Sequence, residues 1–336
     1  MGEYKKQHYV PQVYLRRFTP DSERLFVFDK WHTDPARRVR RSKVRDVAHE
    51  NDFYDIVPEI LKPEFRPDHN RKMIENLLGR FDAELGSGVE QLVTAVKAGR
   101  RPGVNQRALL ARAMGVQAVR TRDTRDTIEE VYLQGHGAIW RASIERNYPG
   151  HEDLTPRPEM KPGFLAAKHA KYLLESGIDT IGKAFMEYTW FIGVNKTKQP
   201  LYTSDQPVVR FAHIEDPHFS NEGFVAPGIE IAFPLDSEHL LIMRDQRAPY
   251  GEWAYNWSVV ELNDDNVEFY NRMQVEQCRR QVYCRDEAFN LAAQMCAEDP
   301  DLTDPTGKKV TVEIIPTEDP LRSYIVTNIR AKRKKK

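Results

Sequence analysis

The sequence predicts an α+β fold in which an N-terminal β-element and a C-terminal antiparallel sheet pack against a central helical layer. Strand formers gather in short runs near the start, apolar residues recur at three and four residues through the middle, and the period becomes two near Trp190. With 336 residues, 40% of them hydrophobic, the chain has ample apolar material for a packed core. The expected organisation is one α+β domain over residues 1–290: a β-element at 1–60, a helical layer at 61–188, and a sheet with a closing helix at 189–290. Residues 291–336 are expected to form a C-terminal extension with a basic tail.

The first element is Gln7-His8-Tyr9-Val10-Pro11-Gln12. Pro11 holds Val10 extended and has no amide hydrogen to give, so the lead is stiff. In an extended segment Gln7 and Tyr9 face one way and His8 and Val10 the other. Tyr14, Leu15 and Phe18 then fall on one apolar helical stripe, with Arg16 and Arg17 outside it. Arg24 to Asp29 and the less regular Arg38 to Val47 predict a hairpin or small sheet. In Glu50 to Ile56, Asn51 and Asp52 supply turn chemistry and Phe53 to Ile56 a short strand, expected beside the first box.

Pro67 suits a first helical turn, Asp68 and Asn70 offer caps, and Ile74, Leu77, Leu78, Phe81 and Leu85 form the stripe that follows. Glu75 stands at the margin of that face. Gly86-Ser87-Gly88 is expected to weaken or break the helix, and Gly99 to Gly103 to end it. Asn105 to Asn147 reads as one long helical region with Gln117 and Arg120 on its apolar side, one turn apart. Tyr148 to Gly163 reads as a loop, and Phe164 to Glu175 and Ile178 to Tyr188 as helices. Trp190 to Val194, Pro200 to Phe211 with a polar box before Pro207, Ile229 to Leu235 and His239 to Met243 predict a meandering antiparallel sheet. Asp264 to Cys284 predicts a helix leading into Val282-Tyr283.

The net charge is zero, so the whole molecule is no polyanion magnet, but basic residues cluster at 37–45, 97–101, 107–125 and 330–336. Such patches suit phosphates, and nucleic acid or a nucleotide is the expected partner; the bland alternative is solvated faces and a disordered tail. Cys278, Cys284 and Cys296 are odd in number and unpaired in spacing, so three free thiols are expected. No apolar run is long enough to span a bilayer, and the start lacks the apolar centre of a secretion signal, which points to the cytoplasm.

The ordered boxes Gln7 to Gln12 with Tyr14-Leu15 and Phe18, Asn51-x-Phe53-Tyr54, Glu75, Gln117-x-x-Arg120-Thr121, Thr203-Ser204-Asp205-x-Pro207-Val208, Phe233-Pro234-Leu235, and Asn271-Arg272 with Arg280-x-Val282 resemble a bacterial HYVPQ-type family, domain of unknown function number forty-two thirty-eight. The resemblance runs from about Lys5 to Cys284. Gln206 stands where the family more often has Asn, and Cys278 where Ala is common. The resemblance implies a shared fold and a shared polar site rather than a reaction; a role in bacterial defence or toxicity follows only by association.

Chemically, one site collecting His8, Glu75, Arg120 and Asp205 as catalytic groups suits cleavage of a phosphodiester. A His or Glu serves as base, carboxylates hold Mg²⁺, and an Arg meets the developing charge. Gln7, Gln12, Asn51, Tyr54, Gln117, Ser204, Asn271 and Arg280 are the expected substrate-binding partners. The reading is a nuclease-like phosphodiesterase; the alternative is a non-catalytic ligand-binding or interaction protein. A third, structural reading makes the boxes core hydrogen-bond networks, with Asp205 a turn or cap residue before Pro207.

Overall fold

The computed structural model describes residues 6–60, 63, 70, 72–101, 103–154, 156–161, 163–214, 223–305, 308–315 and 324–331. Stiffened by Pro11, the N-terminal segment forms β1 (Lys6–His8) and then α1 (Gln12–Leu15), continued by a tight turn at Arg16–Phe18. Tyr14, Leu15 and Phe18 are fully buried, as their stripe requires. β2 (Arg24–Asp29) and β3 (Val39–Lys43) form the antiparallel hairpin expected of them. β4 (His49–Asn51) pairs antiparallel with β1, setting His8 opposite His49 and Lys6 opposite Asn51. The strand therefore precedes the predicted one. Asp52 takes a left-handed conformation, φ 53°, and Phe53 and Tyr54 lie in a turn that drives both rings into the core.

The helical layer starts with α2 (Met73–Lys97), which buries Ile74, Leu78, Phe81, Leu85, Val89 and Leu92. Asn70 accepts the Lys72 amide at 2.9 Å, while Pro67 and Asp68 lie outside the described residues. Contrary to expectation, α2 runs unbroken through Gly86-Ser87-Gly88. A Cβ at Gly86 would meet Val13 at 2.7 Å and one at Gly88 would meet Leu110 at 3.1 Å, so these glycines permit close packing. The helix expected over 105–147 is two, α3 (Val104–Val119) and α4 (Arg122–Asn147). Thr121, extended at ψ 162°, caps α4 by accepting the Thr124 amide, and this local bond outcompetes helical continuation. α5 (Phe164–Tyr172), wide π turns at Leu173–Gly182, and α6 (Lys183–Glu187) complete the layer.

The C-terminal half supplies β5 (Thr189–Asn195), β6 (Thr203–Ser204), β7 (Val209–Ala212), β8 (Ile229–Pro234), β9 (His239–Arg244), β10 (Ser258–Leu262), α7 (Asp264–Gln277), β11 (Gln281–Cys284), α8 (Asn290–Glu298), β12 (Lys308–Ile315) and β13 (Tyr324–Ala331). One sheet has the order β10-β5-β9-β8-β7 and is antiparallel except where β10, unforeseen in the sequence, runs parallel to β5. The stretch around Pro207 divides, β7 joining this sheet and β6 the order β3-β2-β11-β6. The N-terminal hairpin thus shares its sheet with strands from much later in the chain. α7 stops at Gln277, and the buried Lys30 donates to the Val275 and Cys278 carbonyls, a cation set at the negative end of the helix. Leu291, Ala292, Met295 and Cys296 of α8 pack with Phe28, Tyr202 and Phe289, so the packed core runs past residue 290. β12 and β13 pair as a hairpin that includes Arg330; the rest of the basic tail, from residue 332, is outside the described residues. All three cysteines are free and buried. No helix among the described residues is long and apolar enough to cross a membrane.

Candidate functional site

The backbone of the first box is gripped on several sides. The Tyr9 amide donates to the Ala48 carbonyl at 2.9 Å. From α3, Gln117 Nε2 donates to the Tyr9 carbonyl at 3.1 Å, and Arg120 Nη2 donates to the His8 carbonyl at 2.7 Å. Two polar residues one turn apart on a helix thus reach successive carbonyls of an extended strand. Gln7 donates to Asp55 Oδ1 at 2.6 Å and accepts the Tyr54 amide at 2.5 Å. The Tyr54 hydroxyl closes the group by donating to the Arg120 carbonyl at 3.0 Å.

Arg120, 2% exposed, also forms an ion pair with Asp82, two turns beyond Glu75 on α2. Burial opposes its charge, yet Asp82 and Tyr54 hold its pKa above the ordinary value. Burial pushes the Glu75 carboxyl up, against the pull of Arg120. Three buried atoms of this cluster lack a hydrogen-bond partner: Glu75 Oε2, Gln117 Oε1 and Arg120 Nε. The strand's alternation turns His8 away from Gln7 and towards His49, with 5.2 Å between ring centres. Burial, and then His49, push the His8 pKa down to about 4, so the imidazole is neutral near pH 7; its Nε2 is also unbonded.

Asp205, Ser204, Asn271 and Arg280 form a second cluster where β6, α7 and β11 meet. The Asp205 carboxylate accepts the Arg279, Arg280 and Gln281 amides at 2.9, 2.8 and 2.9 Å. Burial pushes its pKa up, and these amides draw it part of the way back. Ser204 donates to Gln274 Oε1 at 2.7 Å, Asn271 accepts the Tyr202 amide at 2.7 Å, and Arg280 Nη2 pairs with Asp29 at 2.7 Å. Of the four groups expected at one centre, Glu75 and Arg120 stand together, the His8 imidazole turns towards His49, and Asp205 is held by the amides of residues 279–281. The Tyr9 phenol lies between the two clusters, its pKa raised by burial and then by Asp205 and Glu50. Two expected partners stand apart from both clusters: Gln12 accepts from Arg16 at 3.3 Å on α1, and Asn51 is exposed at the end of β4.

Among the described residues, no group of three or more His, Cys, Asp or Glu is placed to hold a metal ion. The basic run at 107–125 is also no surface patch: Arg107, Arg120 and Arg125 are 5%, 2% and 7% exposed. Sequence reasoning missed Asp82, Asp55, Arg125 and His169. Asp82 had a signal, lying seven residues after Glu75 on the same helical face. The Arg125–His169 contact joins α4 to α5 and leaves no local pattern.

These features define a class, an α+β domain whose N-terminal strand is locked to a buried polar cluster on two helices. The family described as Protein of unknown function (DUF4238) matches residues 6–288, and the chain belongs to that family. The match covers nearly the same span as the ordered boxes. No curated protein and no solved structure matches the chain.

Proposed function

We propose that the chain binds a small polar ligand of the nucleotide or phosphodiester class at the cluster of Glu75, Gln117 and Arg120. The observation that carries this reading is the set of three buried, unbonded polar atoms on two facing helices. Buried polar groups are nearly always satisfied, and leaving one without a partner costs about 1–3 kcal/mol. A ligand that offers donors to Glu75 Oε2 and Gln117 Oε1 and an acceptor to Arg120 Nε would remove these penalties. The test is a thermal-shift series with mononucleotides and cyclic nucleotides on the wild type and on Glu75→Gln. Stabilisation that rises with concentration and weakens in the variant supports the reading; an unchanged melting curve with every member refutes it.

A second reading, nuclease-like cleavage of a phosphodiester, is favoured by the buried His8 with its unbonded Nε2 and by Glu75, whose carboxyl is pushed up by burial. Loss of RNA, DNA or cyclic nucleotide on incubation, abolished in a folded His8→Ala variant, is its expected signature. Equal turnover in that variant removes His8 from the chemistry. Nucleic acid as a partner, and a role in defence or toxicity, remain proposals attached to this second reading.

A further inference from the structure

We propose that Arg125, on the first turns of α4, anchors a second binding site for an oxyanion, the phosphate or carboxylate group of a small molecule. Its side chain is buried and fixed. The guanidinium carbon lies 3.5 Å from the centre of the Phe53 ring, and Nε donates to His169 Nδ1 at 3.2 Å. His169 Nε2 donates in turn to the Val119 carbonyl at 2.8 Å, which makes Nδ1 the acceptor and the imidazole neutral. Burial, with Arg125 second, pushes the His169 pKa down to about 3, so this partner supplies no countercharge.

Among the described residues, no carboxylate is hydrogen-bonded to or ion-paired with Arg125. Glu50 accepts from Arg122 at 2.6 Å, and Asp126 accepts from Arg122 at 2.6 Å and from Arg279 at 2.5 Å. Three guanidiniums thus face two carboxylates, and the unmatched charge is the most buried of the three. Arg125 Nη2 is buried with no hydrogen-bond partner. A buried arginine is ordinarily paired, and one held flat on an aromatic ring has its fork already oriented for a planar or tetrahedral oxyanion. The positive end of the α4 dipole adds to the attraction. Its neighbours Arg122 and Asp126 reach the surface, with side chains 29% and 33% exposed.

This assignment is independent of the Glu75 cluster: variants at Glu75 test one and variants at Arg125 the other. The experiment follows thermal unfolding of the full chain in inorganic phosphate and in acetate, against chloride at matched ionic strength. The expected result is a melting temperature that rises by about 2 °C or more with one of the anions, phosphate identifying a phosphoryl source and acetate a carboxylate. Arg125→Met is expected to abolish the rise, whatever its own melting temperature in chloride, because it removes the guanidinium while keeping an apolar side chain against Phe53. No rise in the wild type with either anion, or an equal rise in Arg125→Met, overturns the proposal. Should Arg125→Met fail to fold, titration calorimetry on the wild type decides: one saturable site for phosphate or acetate sustains it, and no heat of binding ends it.

Discussion

Replacing Asp205 by alanine tests whether the Ser204-Asp205 box is a scaffold. The carboxylate accepts three backbone amides at 2.8–2.9 Å, from Arg279, Arg280 and Gln281. Hydrogen bonds to a charged group contribute about 1.5–3 kcal/mol each. Residues 279–281 are only partly buried, so water satisfies some of the freed amides. The net loss expected is therefore about 3–5 kcal/mol, below the sum of three full bonds. At about 1.4 °C per kcal/mol for a chain of 336 residues, the melting temperature should fall by about 4–7 °C. Asp205→Asn retains one acceptor oxygen but turns its amide group on at least one donor, and should fall between the two. Urea titrations followed by circular dichroism give the free energies. An alanine variant melting within about 2 °C of the wild type would refute the clamp.

Two further outcomes follow from packing and burial. Gly115→Ala should destabilise by about 2–4 kcal/mol despite the higher helix propensity of alanine, because the new Cβ would lie 2.3 Å from the Gly177 carbonyl oxygen and 2.6 Å from the Gly182 nitrogen. Gly79→Ala on α2, with nothing within 4 Å, should stabilise by about 0.5–1 kcal/mol; denaturation midpoints that fail to move in opposite directions contradict this packing. The folded pKa values of His8 and His169, about 4 and about 3, lie below the ordinary 6.5, so the unfolded chain binds more protons in that interval. Stability should be full above pH 6.5 and decline as pH falls towards 4. A flat unfolding free energy from pH 7 to 4.5 would show that these imidazoles are not buried neutral.

Much of the fold could be read from periodicity: the α2 stripe, the hairpin of β2 and β3, and the four antiparallel strands of the larger sheet all announce themselves in residue spacing. What could not be read depends on a distant partner. Gly86 and Gly88 look like breakers until Val13 and Leu110 are seen beside them. β10 has a parallel neighbour that no local turn specifies, and the break at Thr121 is set by a single capping hydroxyl. At the candidate site, Gln117 and Arg120 stood out as polar groups on an apolar helical face. The engagement of Asp205 was hidden because its donors lie 74 to 76 residues later.

The sheet that joins β2 to β11 has a consequence for biosynthesis. Asp29 and Arg280, bonded across it, are 251 positions apart. At about 5–20 residues per second, the ribosome needs roughly 12–50 s to make the intervening chain. Throughout that delay the inner edge of the early hairpin has no neighbour, an open template for stray pairing. The nascent protein must therefore wait, or be sheltered by a chaperone, until nearly the whole matched region has emerged. A messenger truncated just before codon 281 would release a product whose opening ribbon can never be closed.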